Sequence, residues 1–147
     1  MISVKGLRVG VSVAVFALTG LSAGLVSLGS ASATTVPKLV VKPSTKLHNG
    51  ERVQVSGRGF KPGDSVYIVE CLFSAKGAAG CNISGAIPAT ITAAGILPKK
   101  TFKVITGKIG NGKCGTKASN LKTCAISAGN ISGGDSAVAR ITFKALR

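Results

Sequence analysis

The sequence predicts an all-β domain, a seven-stranded immunoglobulin-like sandwich, preceded by an export signal. Three observations predict it. From Val36 onward, short runs of alternating apolar residues recur about every ten positions between Pro, Gly, Asn and Ser, which is the rhythm of sandwich folds. No segment carries helical periodicity, and 20 glycines in 147 residues leave no room for a long helix. Four cysteines, an even number in a short exported chain, point to two disulfides rather than to metal or redox chemistry.

The export signal is read from residues 1–33. Lys5 and Arg8 make a positive start, an uncharged apolar run follows from Val9 to Leu28, and Ala31-Ser32-Ala33 offers the small residues of a cleavage site. The remaining 34–147 have the size of one domain and are expected to be secreted, monomeric and without a membrane anchor.

The strands follow in order. Lys38–Lys42 is stopped by Pro43-Ser44. His48-Asn49-Gly50 turns the chain, Asn-Gly supplying positive φ. Arg52–Ser56 alternates with Val53 and Val55 inward, and Gly57–Asp64 bends it back. Val66–Phe73 is apolar on both faces, Val66 and Ile68 on one and Tyr67, Val69, Cys71 and Phe73 on the other. A strand half in water would show polar residues on one of these, so both sides should be covered. Ala89–Thr92 is short. Lys100–Thr106 puts Phe102 and Val104 inward, and Gly110-Asn111-Gly112 is a tight turn. Ala125–Ala128 and Ala137–Phe143 complete the count.

The cysteines allow three pairings. The local one joins Cys71 to Cys81 and Cys114 to Cys124, each ten positions apart, and a loop of that size stabilises by about 2.5–3 kcal/mol in the chain-entropy model. A crossed pairing such as Cys71–Cys114 is the competing arrangement. No Cys-x-x-Cys occurs, so no metal site is expected.

The charge balance is strongly basic: 19 Lys and Arg against 4 Asp and Glu give +15. No acid occurs between Glu70 and Asp135, while Lys99, Lys100, Lys103, Lys108, Lys113, Lys117 and Lys122 do. These lysines are the expected patch for a polyanion, DNA or an anionic wall polymer, bound by charge alone and weakened by salt. Interleaved aromatics for base stacking and a recognition helix are both missing, so any such contact would ignore sequence.

An active site is not expected. The single histidine, His48, sits in an exposed turn without a nucleophile beside it. Glu70 is the least ordinary acid, lying inside an apolar strand next to Cys71. It reads as a hydrogen-bonded carboxylate or a partner for a lysine near the sheet edge, with a polar anchor near a cleft as the sharper alternative.

Several motifs in order resemble the neocarzinostatin family, secreted actinobacterial carriers of enediyne chromophores. They are Val41-Lys42-Pro43-Ser44, Leu47-His48-Asn49-Gly50, Val53–Phe60 with Pro62-Gly63, the spacing of Cys71, Cys81 and Asn82, the second cysteine pair and Ile141-Thr142-Phe143. The resemblance spans essentially the whole mature chain. It implies a sandwich with a small ribbon subdomain, a non-enzymatic carrier with no metal or resident cofactor, and a chromophore held non-covalently in a cleft. It also implies a role in antibiotic defence, with DNA as the eventual target of the cargo.

By position, the resemblance puts Cys71–Cys81 on the cleft floor, Phe73 at the edge where the family has a tryptophan, and Ala125, Ser127 and Gly129 along the pocket. With Tyr67 and Val69 these make the expected cleft. The hairpin between the fifth strand and Cys114 is shortened to residues 106–113 and has no aromatic, and Ala86 stands where a pocket phenylalanine would be. The chain has no Trp, one Tyr and five Phe. A shallower groove and a smaller or more aliphatic ligand are therefore expected.

Overall fold

The computed structural model describes residues 35–145, so the expected export signal at residues 1–33 lies outside the described residues. Nine strands form: β1 (Lys38–Lys42), β2 (Arg52–Arg58), β3 (Ser65–Leu72), β4 (Ile87–Thr90), β5 (Ile96–Lys103), β6 (Gly107–Ile109), β7 (Gly112–Cys114), β8 (Cys124–Gly129) and β9 (Ser136–Ile141). Seven make the sandwich, in sheets ordered β1-β2-β5 and β4-β3-β8-β9, and β6-β7 is a separate ribbon. All pairings between strands are antiparallel.

The period-2 pattern sorts the side chains. Val41, Val53, Val55 and Phe102 face inward from one sheet, and Val66, Ile68, Ile126, Ala128 and Ile141 from the other. Phe60, Ile91 and Leu97 fill the core between them. The β2–β5 ladder slips between Val55 and Gly57. Gly57 is required there, since a Cβ would stand 2.7 Å from both the Lys38 carbonyl and the Phe60 ring. The Asn49-Gly50 turn has Gly50 at φ 80°, as its sequence predicts.

The main boundary differences from the sequence reading fall in three strands. β5 starts at Ile96, because its pairing with β2 continues past the bulge to Arg58. It ends at Lys103, because the next backbone N–H groups are drawn elsewhere: Val104 donates to the Glu51 carbonyl, Ile105 to Glu70 Oε2 and Thr106 to Asn49 Oδ1. β4 lies two residues early, pairing Ile87–Thr90 with Ser65–Ile68, and Ile91 leaves it to donate to the Asp64 carbonyl. The last strand stops at Ile141, and Phe143 forms an isolated parallel bridge with Leu47.

Both disulfides take the local pairing, Cys71–Cys81 and Cys114–Cys124. The first ties the loop after β3 back to that strand, and the second ties the ribbon to the start of β8. Gly110 and Asn111 form the ribbon tip, which abuts that same loop: Asn111 N–H donates to the Ala79 carbonyl.

Candidate functional site

The outer face of the four-stranded sheet is built in register rows. Tyr67 lies between Pro88 and Gly129, with Ser136 beyond. Val69 pairs with Ser127, then Val138; Cys71 pairs with Ala125, then Arg140. The middle strand, β8, contributes only Gly129, Ser127 and Ala125 to this face. A row of minimal side chains between larger neighbours leaves a trough, which local sequence dictates directly.

Two loops raise the banks of that trough. On one side is the segment after β3, with 3₁₀ turns at Ala78–Gly80 and Ile83–Gly85. On the other is the β8–β9 loop with Asn130 and Ile131. The result is an open groove of about 680 Å³. Its floor is Tyr67, Val69, Cys81, Ser127, Gly129 and Ser136, and its banks are Gly77, Ala78, Ile83, Ala86, Asn130 and Ile131. Apart from the Tyr67 phenol no lining side chain is ionisable, so the groove can bury apolar surface and offer neutral hydrogen bonds.

The expected cleft residues divide. Tyr67, Val69, Ser127 and Gly129 are in the groove, as is Ala86. Phe73 and Ala125 are not. The Phe73 ring is stacked beneath the Arg140 guanidinium, whose carbon is 3.4 Å from the ring centroid. To reach that ring from β9, Arg140 crosses Ala125 on β8, and Ala125 is fully buried. Both residues therefore belong to a corner beyond the groove, beside Arg140. The ribbon does not line the groove either; it backs the Ala78–Gly80 turn from behind. Sequence reasoning missed Ser136, the first residue of β9, and the loop residues Gly77, Ala78, Ile83, Asn130 and Ile131. The loop residues lie on short turns, where no periodicity marks a direction.

Glu70 faces away from the groove. It continues the Val66–Ile68 alternation into the interior and is fully buried. Oε2 accepts the Ile105 N–H at 2.9 Å, and Oε1 lies 3.7 Å from Cys114 Sγ. Burial pushes the carboxyl up from 4.5 to about 7, partly opposed by the Ile105 hydrogen bond. It is a hydrogen-bonded carboxylate on a central strand, with neither a lysine partner nor a place in the cleft. Glu70, Cys114 and Cys124 come within 4.8 Å of one another. The two sulfurs are joined in a disulfide and offer no thiolate to a metal.

The seven lysines of the expected patch also divide. Lys99 and Lys103 point out from β5, whereas Lys100, its neighbour on the alternate face, turns to the hollow beside β4. Lys108 and Lys113 are cross-strand partners on the ribbon. Lys117 and Lys122 are exposed in the second cysteine loop. His48 is exposed beside a smaller hollow of about 260 Å³, and its backbone N–H donates to Glu51 Oε2.

Comparison with known proteins agrees with this architecture. The model of the neocarzinostatin family matches residues 39–143. Macromomycin from Streptomyces macromomyceticus is 31% identical over 132 residues, covering 86% of this chain and 90% of its own. The solved structure of macromomycin has a TM-score of 0.57 at 30% identity, covering 74% of this chain and 99% of that one. The solution conformation of apokedarcidin has a TM-score of 0.50 at 25% identity, covering 76% and 99%.

Proposed function

Because the chain belongs to the neocarzinostatin family of small-molecule-binding, non-enzymatic proteins, we propose that it is a secreted carrier holding one compact hydrophobic molecule in the groove over β3 and β8. One observation carries the reading. The face that must bury apolar strand residues is hollowed by Ser127 and Gly129 into about 680 Å³, within the roughly 300–1,000 Å³ typical of ligand pockets.

The cargo is held without a covalent bond, by burial and neutral hydrogen bonds. With the family resemblance this reading also takes in an enediyne-type chromophore, a role in antibiotic defence and DNA as the cargo's eventual target. The banks here carry isoleucines, Ile83 and Ile131, and the only aromatic in the lining is Tyr67. That composition supports an aliphatic or small ligand over a large flat one.

The test is direct, because Tyr67 is the only tyrosine and there is no tryptophan. Its emission is titrated with a stable chromophore analogue and with a compact aliphatic ligand. Saturable binding of the aliphatic ligand, abolished by Ser127→Phe, is expected, with the analogue binding more weakly. No saturation with either ligand, or binding indifferent to Ser127→Phe, rejects the carrier reading.

A further inference from the structure

The outer face of the three-stranded sheet, on the far side of the sandwich from the groove, carries the molecule's most ordered charge. Lys38 and Lys42 project from β1, Arg52 and Arg58 from β2, Lys99 and Lys103 from β5, and all six are exposed. Register places Lys38 directly opposite Arg58, and Arg52 directly opposite Lys103. Like charges facing each other across a ladder are destabilising.

No acid relieves them. Glu51 accepts the His48 N–H, Asp64 the Ser65 N–H and Asn130 Nδ2, Asp135 the Lys61 N–H, and Glu70 is interior. These are the chain's four acids, each engaged away from this face. The cations stand around a neutral centre in which Gln54 Nε2 donates to Thr101 Oγ1 at 3.0 Å. Folding is not served by this arrangement, but an anion laid across the face would be held on several sides at once.

We propose that the β1-β2-β5 face docks the phosphate backbone of duplex DNA without reading its sequence. From Arg52 to Arg58 the face is roughly 20 Å long, and three strands make it roughly 10 Å wide. A single extended polymer would follow one row of cations. A duplex offers phosphates from two strands on either side of a groove about 12 Å across, which matches a two-dimensional ring of charge. The face also exposes Val40 and Ile96, so an anionic lipid surface is the rival that the vesicle arm of the test must exclude. The surface has no helix for the groove and no ring for stacking, so bases go unread.

The test is anisotropy of a labelled 20-base-pair duplex from 25 to 200 mM salt. A log K against log salt slope of about −3 to −5 is expected, at about 0.9 per phosphate neutralised. Replacing Arg52, Arg58 and Lys103 together with Gln should flatten the slope by about 2–3 and weaken binding at 50 mM salt more than tenfold, equally for unrelated sequences. The matched triple of Lys108, Lys113 and Lys122 with Gln removes the same charge from the ribbon region and should change affinity less than threefold. The unfolding midpoint of the first triple should hold or rise, which separates lost contact from lost fold. Equal losses in the two triples, or no binding at 25 mM salt, overturn the proposal. So does tighter binding of poly(glycerol phosphate) or of phosphatidylglycerol vesicles than of the duplex.

Discussion

Strand β3 shows its two sides doing different work with adjacent residues. Val66, Ile68 and Glu70 enter the sandwich and are fully buried, while Tyr67 on the other side, and Phe73 just past the strand's end, are about 40% exposed. Inward positions are packed by the facing sheet, so their cost on truncation is set by cavities. Outward positions are covered by loops and one arginine, so their loss should be felt in binding more than in stability. The difference teaches that the doubly apolar strand is covered once by a core and once, partially, by a groove.

The comparison breaks most visibly at Ile68. Ile68→Ala should cost about 2–5 kcal/mol, measured by urea unfolding, whereas Tyr67→Ala next to it should cost well under half as much. Equal costs would mean that the outer face is packed as tightly as the inner.

Glu70 sharpens the comparison through pH. Below 4.5 its carboxyl is protonated in folded and unfolded chains alike, and costs nothing. From pH 4.5 to 7 the unfolded chain ionises first, because burial holds the folded group at about 7. Stability therefore falls across that window and levels off above it, with a total loss of roughly 3 kcal/mol. Glu70→Gln keeps an acceptor for the Ile105 N–H and removes the charge. It should abolish the slope between pH 4.5 and 7 and raise stability at pH 8 by up to about 3 kcal/mol, with little change at pH 4.5. Unfolding midpoints at pH 4.5, 6 and 8 measure it.

The smallest effect is expected at the corner beside the groove where Arg140 stacks on Phe73. Arg140→Gln removes the cation stacked on Phe73, worth about 0.5–1 kcal/mol at an exposed site, and uncovers Ala125. Thermal unfolding should shift by only a few degrees, and groove binding read at Tyr67 should stay the same. A large loss of binding would place Arg140 in the site.

Much of this was legible before the fold. Seven strands, the inward set Val53, Val55, Phe102 and Val104, and the cysteine pairing follow from period-2 alternation and spacing. Extending the Val66–Ile68 alternation by one step carries Glu70 into the interior, a step that the reading of it as a sheet-edge or cleft carboxylate did not take. Position alone could not place Phe73 and Ala125, because it does not show that Arg140, paired with Ala125 on the next strand, stacks over Phe73 two strands away. The seven lysines do not share one face, for a simpler reason. Lys99 and Lys100 are adjacent, so a strand sends them to opposite faces, and the partners of Lys99 on its own face come from β1 and β2. Ile83 and Ile131 lie on turns, where residue type does not reveal direction.

The two banks of the groove differ in how they are fastened, which bears on where the chain can grow. The bank after β3 is held by Cys71–Cys81, by Asn82 N–H on the Glu70 carbonyl and by Asn111 N–H on the Ala79 carbonyl. Added residues there would strain the disulfide or dislodge the ribbon tip. The other bank closes mainly on itself: Asn130 and Asp135 bond across its base, and Gly133 and Gly134 donate to Asn130. At its tip a side chain on Gly133 would meet nothing within 4 Å. Lengthening a loop that already closes costs only a logarithmic increment of entropy. In this fold, then, insertion between Ile131 and Gly133 can set the depth of the groove while the sandwich beneath stays as it is.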